Sequence, residues 1–62
     1  MAVSYYYFVD DRTRTVYYTE EFSSNPDHIY VGTSDNPNPR MAVAAFMQNG
    51  SVNEGFKLKK LD

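Results

Sequence analysis

One segment, residues 38–50, carries both a helix start and a helix stop. Asn38 is a good N-cap, and Pro39 at the first helical position gives up only an N–H that has no partner inside the helix. Gly50 supplies the left-handed residue that commonly follows a helix. The segment therefore predicts one helix of about three turns, from Pro39 to Gln48.

Both sides of this helix are apolar. At about 100° per residue, one side has the stripe that usually packs on a sheet, formed by Ala42, Val43, Phe46 and Met47. The opposite side consists of Met41, Ala44 and Ala45. One small sheet covers only one side, so a folded-over terminus or a second copy of the chain must cover the other. We expect self-association through Met41, Ala44 and Ala45. The plainer alternative is that alanine tolerates solvent and Met41 is a single exposed apolar residue.

The chain has 62 residues and no cysteine, so we expect one domain, residues 1–62, without disulfides or thiolate metal sites. A chain of this length buries only about 60% of its unfolded surface, and oligomerisation is the remaining way to support the core. Met1 without a tag favours a complete small open reading frame, of the kind common in phage and compact microbial genomes. No signal peptide or membrane span is recognised, which predicts a cytoplasmic protein.

Four strand patterns surround the helix, at residues 3–9, 14–19, 28–33 and about 51–61. The first is apolar or aromatic on both faces and is predicted to be central, which leaves open which face the helix covers. Its connection to the second strand has hairpin length and favours antiparallel pairing. Lysines in the last strand suit a sheet edge. We therefore predict an α+β fold, in which a small four-stranded, mostly antiparallel sheet (β-β-β-α-β) carries one helix on one face.

Six tyrosines in 62 residues are too many for so small a core. At least one sheet face is therefore expected to expose tyrosine. The expected partner-binding residues are Tyr5, Tyr7, Tyr17, Tyr18 and Tyr30. Tyrosine is enriched at protein interfaces because it is rigid, large and amphipathic. The plainer alternative is that tyrosine is simply a favoured exposed strand former.

The loop before the helix predicts an anion site as a second possibility. Thr33, Ser34 and Arg40 would place two hydroxyls and a guanidinium near a helix N-terminus, where negative charge is favoured. Such a site would bind a nucleotide or another anion. Asp35 counts against it because it could pair with Arg40, and the loop lacks the glycine spacing of a phosphate loop.

No catalytic or metal signature is recognised. His28 is the only histidine, and the set Ser34, His28 and Asp35 lacks the context of a hydrolase nucleophile. We expect no enzyme activity, no cofactor and no metal. Single-stranded nucleic acid is a further alternative, with charge from Arg12, Arg14, Lys57, Lys59 and Lys60. The net charge of −2 argues against it.

The sequence favours a non-enzymatic protein-interaction module, a small adaptor or inhibitor. We expect it to bind itself, as a homodimer or higher oligomer, and one other protein, with no membrane partner. Its tyrosine-rich sheet face would act by occlusion, burying rigid anchors against the partner and blocking or bridging it. The alternatives are a small-ligand binder at residues 32–40 and a single-strand nucleic-acid binder.

Overall fold

The computed structural model describes residues 4–22 and 25–61 and confirms the predicted α+β fold. Within those residues the elements are β1 (Tyr5–Asp10), β2 (Thr15–Thr19), β3 (Ile29–Ser34), α1 (Pro39–Gln48) and β4 (Lys57–Lys60). The strands form one sheet in the order β3-β1-β2-β4. β1 is antiparallel to both β2 and β3, whereas β4 is parallel to β2. The sheet is therefore mixed but mostly antiparallel.

The positions of the strands follow their sequence patterns closely. β1 lies inside the sheet, as expected for a strand that is apolar on both faces, and β4 is an edge strand. β4 is shorter than the predicted 51–61 because turns occupy the residues before it and Gly55 has a φ of 84°, which interrupts an extended chain. The predicted start of the first strand, Val3, lies outside the described residues.

Both ends of α1 lie where local chemistry places them. The side chain of Asn38 accepts a hydrogen bond from the Arg40 backbone N–H at 3.1 Å, as an N-cap does. Beyond the other end, Gly50 has a φ of 79°, and the Ser51 N–H donates to the Phe46 carbonyl at 3.0 Å. This closing bond has the pattern of a glycine-terminated helix.

The helix connects the two opposite edges of the sheet, from β3 to β4. It therefore has to cross one face of the sheet, above β1 and β2. The buried apolar residues on this side are Tyr7, Val9, Val16, Ala42, Val43 and Val52. The helix thus covers the face that carries the odd-numbered residues of β1, a choice that the sequence pattern leaves open.

A β-bulge in β3 decides which side chains share a face. Tyr7 lies opposite Gly32, and Phe8 lies opposite Tyr30, so Val31 is an extra residue between the two pairs. Val31 packs against the helix-side core, while Tyr30 lies on the opposite face with Phe8. At Gly32 the ring of Phe46 comes so close that a Cβ atom there would lie 2.6 Å from Phe46 Cε1. A glycine is therefore required for this contact between helix and sheet.

Tyr7 lies at the centre of the core and is completely buried. Its hydroxyl has no hydrogen-bond partner among the described residues. Burial, and then the neighbouring hydroxyls of Tyr18 and Tyr5, raise the pKa of Tyr7 above its usual value of 10.0. The phenol is thus held in its neutral form within the folded protein.

Replacing Tyr7 by phenylalanine tests this burial. The hydroxyl brings a desolvation cost without a hydrogen bond, so we expect Tyr7→Phe to change the free energy of unfolding by no more than about 1 kcal/mol, or to raise it. In the wild-type protein, Tyr7 should make the free energy of unfolding fall as the pH rises above 10.0 and should leave it independent of pH below that value. The reason is that Tyr7 ionises above pH 10.0 in the unfolded chain but keeps its proton in the folded chain. Urea unfolding at several pH values should show a smaller alkaline loss for Tyr7→Phe. An equal loss in both proteins would contradict the raised pKa.

Candidate interaction surface

The sheet face opposite the helix carries four rings that touch one another, here called the aromatic cluster: Tyr6, Phe8, Phe22 and Tyr30. β1 and β3 supply three of the rings, and the connection between β2 and β3 supplies Phe22. Four of the ring pairs have centroids 5.5 Å apart, and Tyr6 and Tyr30 are 6.4 Å apart. These are the tilted and edge-to-face geometries that aromatic pairs prefer.

The cluster has a buried base and an exposed rim. Phe8 is only 3% exposed, whereas Phe22 and Tyr30 are 56% and 47% exposed. The Tyr30 hydroxyl shares a hydrogen bond with the Thr33 hydroxyl on the same strand, which restrains the ring. The rim is therefore apolar, accessible and already ordered.

The connection that carries Phe22 is tied to the sheet beyond that residue. The His28 ring stacks on Tyr17 at 4.5 Å with 19° between the planes, and its Nε2 lies 4.0 Å from Asp10 Oδ2. Asp10 is buried and also accepts a hydrogen bond from the Arg12 backbone N–H at 3.0 Å. Asp10 thus links the turn after β1 to the end of the β2–β3 connection.

The start of the same connection is also anchored. The Thr19 side chain is buried, and its hydroxyl accepts a hydrogen bond from the Glu21 backbone N–H at 3.2 Å. A depression of about 690 Å³ opens beside it, next to the aromatic cluster. Its lining consists of Thr19, Glu20, Glu21, Phe22, Asn25, His28 and Leu61. Phe22 belongs to both features.

The predicted partner-binding tyrosines divide between the two faces. Tyr30 lies in the aromatic cluster, and Tyr17 lies half-buried on the same face beneath His28. Tyr5, Tyr7 and Tyr18 lie on the helix side and pack in or against the core. Tyr7 cannot contact a partner in this fold, because the helix crosses the face to which its side chain points. This corrects the expectation that Tyr7 is a partner-binding residue.

Three residues of the aromatic cluster, Tyr6, Phe8 and Phe22, lie outside the predicted partner-binding set. Phe8 is buried, but Tyr6 is half-buried and Phe22 is exposed. Tyr6 shares a face with Phe8 by simple alternation along β1, so the sequence contains that signal. Phe22 lies outside any strand. The sequence predicts that this ring tucks under the sheet from its loop, but no periodic pattern indicates which residues it contacts. Ring contacts from a connection depend on the folded path of the chain.

The residues of the predicted anion site do not converge. Thr33 and Ser34 are consecutive in β3 and lie opposite Tyr6 and Tyr5, so their side chains point to opposite faces. The Ser34 hydroxyl accepts a hydrogen bond from the Asn36 N–H, at 3.2 Å. The Arg40 guanidinium lies 5.9 Å from the centroid of the Phe56 ring. The structure therefore does not bring Thr33, Ser34 and Arg40 together.

The outer side of α1 is open in the described part of the chain. Met41 is 63% exposed, and Ala44 and Ala45 are exposed as well. The residues predicted for self-association therefore lie on one accessible helix side. Across residues 4–22 and 25–61, no three His, Asp or Glu side chains gather as metal ligands would, and no helix is long and apolar enough to cross a membrane.

Asp10 offers a direct test of how the β2–β3 connection is held. We expect Asp10→Ala to lower the free energy of unfolding by about 1–3 kcal/mol, because the Arg12 N–H loses its acceptor and His28 loses the carboxylate beside its ring. Asp10→Asn keeps an acceptor oxygen and should cost less. Urea unfolding of both variants gives the two values. Equal and small effects would show that the link through Asp10 does not stabilise the fold.

Comparison of the chain with models of known protein families, with curated proteins and with solved structures gave no match.

Proposed function

We propose that this protein is a non-enzymatic protein-interaction module that binds its partner through the aromatic cluster. The observation that carries the proposal is the exposure of Phe22 and Tyr30, at 56% and 47%, on the face that the helix leaves open. Exposing clustered aromatic rings to water is unfavourable, and such rings are enriched where one protein binds another.

The energetics of the rim support binding. Full burial of a large apolar side chain is worth about 1.5–3 kcal/mol relative to exposure. Because each ring is about half exposed, a partner that covers both rings gains roughly this amount in total. The rings already contact one another, and the Tyr30 hydroxyl is hydrogen-bonded to the Thr33 hydroxyl. Binding therefore costs little side-chain conformational entropy. Ordered aromatic anchors of this kind are the usual hot spots of interfaces.

The position of the cluster on a sheet face favours action by occlusion. A partner docked on it would lie against the broad surface formed by β3, β1 and β2, and would have its own contact surface covered. A chain of 62 residues can block or bridge in this way without any chemistry of its own. The function proposed is therefore that of a small adaptor or inhibitor.

Selection from a library of displayed random peptides tests the proposal, because the library presents many candidate partner surfaces at once. Peptides enriched on the wild-type protein should bind the double variant Phe22→Ser/Tyr30→Ser more weakly by about 2 kcal/mol, roughly 30-fold in Kd, because both anchors are removed. This variant should be less stable than the wild-type protein, because both rings also cover Phe8, but circular dichroism should show that it stays folded.

Ile29→Ser is the matched control for this selection. Ile29 is 57% exposed and next to Tyr30, but it lies opposite Val9 and so belongs to the helix-side face. Binding should survive this change. Failure to enrich any peptide, or equal losses with Ile29→Ser and with the double variant, would contradict a binding role for the aromatic cluster.

Self-association through the outer side of α1 is a second proposal, supported by the exposure of Met41 beside two alanines. Small residues let a second helix approach closely, and Met41 adds a flexible apolar side chain that adapts to its partner. A second copy bound here would leave the aromatic cluster free on the far side of the sheet. Two copies could then present two clusters to one partner, and the overall affinity would rise.

Light scattering over a range of concentrations measures this self-association. We expect the wild-type protein to have the mass of a dimer or a higher oligomer, and Ala45→Glu to reduce it to one chain, because a buried carboxylate without a partner is strongly unfavourable. Asn53→Glu adds the same charge at an exposed position after the helix and should leave the mass unchanged. A wild-type monomer would contradict the proposal.

A further inference from the structure

We propose that the depression beside the aromatic cluster binds an arginine side chain of the protein partner. This inference rests on the interaction function and specifies the chemistry of the partner. The depression has a volume of about 690 Å³, within the range of roughly 300 to 1,000 Å³ that is common for ligand pockets. Its lining combines carboxylates, an aromatic ring and a largely buried imidazole, and each of these groups favours a guanidinium.

The carboxylates provide the charge. Glu20 and Glu21 both line the depression and are both exposed, and neither has an ion-pair partner among residues 4–22 and 25–61. Arg12, a cation of the same region, is already placed beside Asp10 and Asp27, at 3.7 Å from each. Two adjacent carboxylates repel each other, so a cation from outside would relieve this repulsion and complement both charges.

The imidazole provides an unused hydrogen-bonding group. The His28 side chain is only 10% exposed, yet it lines the depression. Its Nε2 is 4.0 Å from Asp10, beyond hydrogen-bond distance, and its ring makes no hydrogen bond within the described part of the chain. A neutral imidazole has one acceptor nitrogen, which a guanidinium N–H satisfies.

The rings favour arginine over lysine. Phe22 forms one wall, and His28 is held in place by its stack on Tyr17 at 4.5 Å. A planar guanidinium stacks on ring faces and donates to several acceptors at once, whereas an ammonium does neither as well. The hydrogen bond from the Glu21 N–H to Thr19, at 3.2 Å, orders the backbone beside the carboxylates before binding.

The shared residue Phe22 connects the two binding features. A partner that covers the aromatic cluster reaches the depression across this one ring, so an arginine near an apolar contact of the partner can enter it. The cluster would supply apolar burial, and the depression would select the partner by its charge.

Titration of the isotope-labelled full chain with N-acetyl-arginine amide, followed by NMR, tests the inference. We expect saturable shifts of the amide signals of Thr19, Glu20, Glu21 and His28. N-acetyl-norleucine amide, of similar length without charge, should produce none. Glu20→Gln/Glu21→Gln should weaken arginine binding about tenfold or more, because the amides keep an acceptor oxygen but lose the negative charge that attracts the guanidinium. Glu54→Gln, at an exposed carboxylate outside the depression, is the matched control and should change nothing.

Absent shifts, equal shifts with the norleucine amide, or unchanged affinity in Glu20→Gln/Glu21→Gln would each overturn the inference. The outcome is separable from the interaction function. Selected peptides that depend on Phe22 and Tyr30 but need no arginine would overturn the arginine site alone. A library that yields no peptide dependent on the cluster overturns the interaction function itself.

Discussion

A single helix covers only one face of a sheet whose central strand is apolar on both faces. Tyr7 and Phe8 are neighbours in β1, point to opposite faces and are both buried. The helix accounts for the burial of Tyr7, because it has to cross the sheet to reach β4. Phe8 has to be covered by something else, and the rings of Phe22 and Tyr30 take that role. Rings that cover a buried residue from outside remain partly in water. The exposed aromatic rim is therefore a consequence of building a two-faced sheet with one helix.

The bulge in β3 is what places Tyr30 in that role. In a regular pair of strands, consecutive residues of β1 lie opposite consecutive residues of β3. Without the extra residue Val31, Gly32 and Tyr30 could therefore not lie opposite Tyr7 and Phe8. Gly32 has to remain on the helix side, because Phe46 packs directly against its backbone. The contact between helix and sheet on one face and the ring cluster on the other therefore depend on the same irregularity. A one-residue change in register would disturb both.

Features set by local chemistry could be predicted from the sequence, and features set by distant contacts could not. Asn38, Pro39 and Gly50 define the helix through groups within a few residues of one another, and the structure confirms both predicted ends. The central place of β1 follows from its two apolar faces. The choice of face for the helix does not, because both faces of β1 offer similar burial. Within the aromatic cluster, Tyr6 could be inferred by alternation, but Phe22 depends on the path of a connection anchored through Asp10 and His28, which are far apart in sequence.

Phe22 packs on the sheet as well as belonging to the proposed binding surface, and this separates the two proposed binding features. Its ring covers Phe8, so it contributes to the stability of the fold, and its exposed surface is available to a partner. A partner that buries Phe22 therefore also supports the second face of the sheet, and binding should stabilise the folded chain by mass action. The carboxylates of Glu20 and Glu21 have no such role in the fold, since they are exposed and unpaired within the described residues. These two carboxylates are therefore available for the proposed selectivity alone, whereas the rings of the aromatic cluster would serve folding and affinity together.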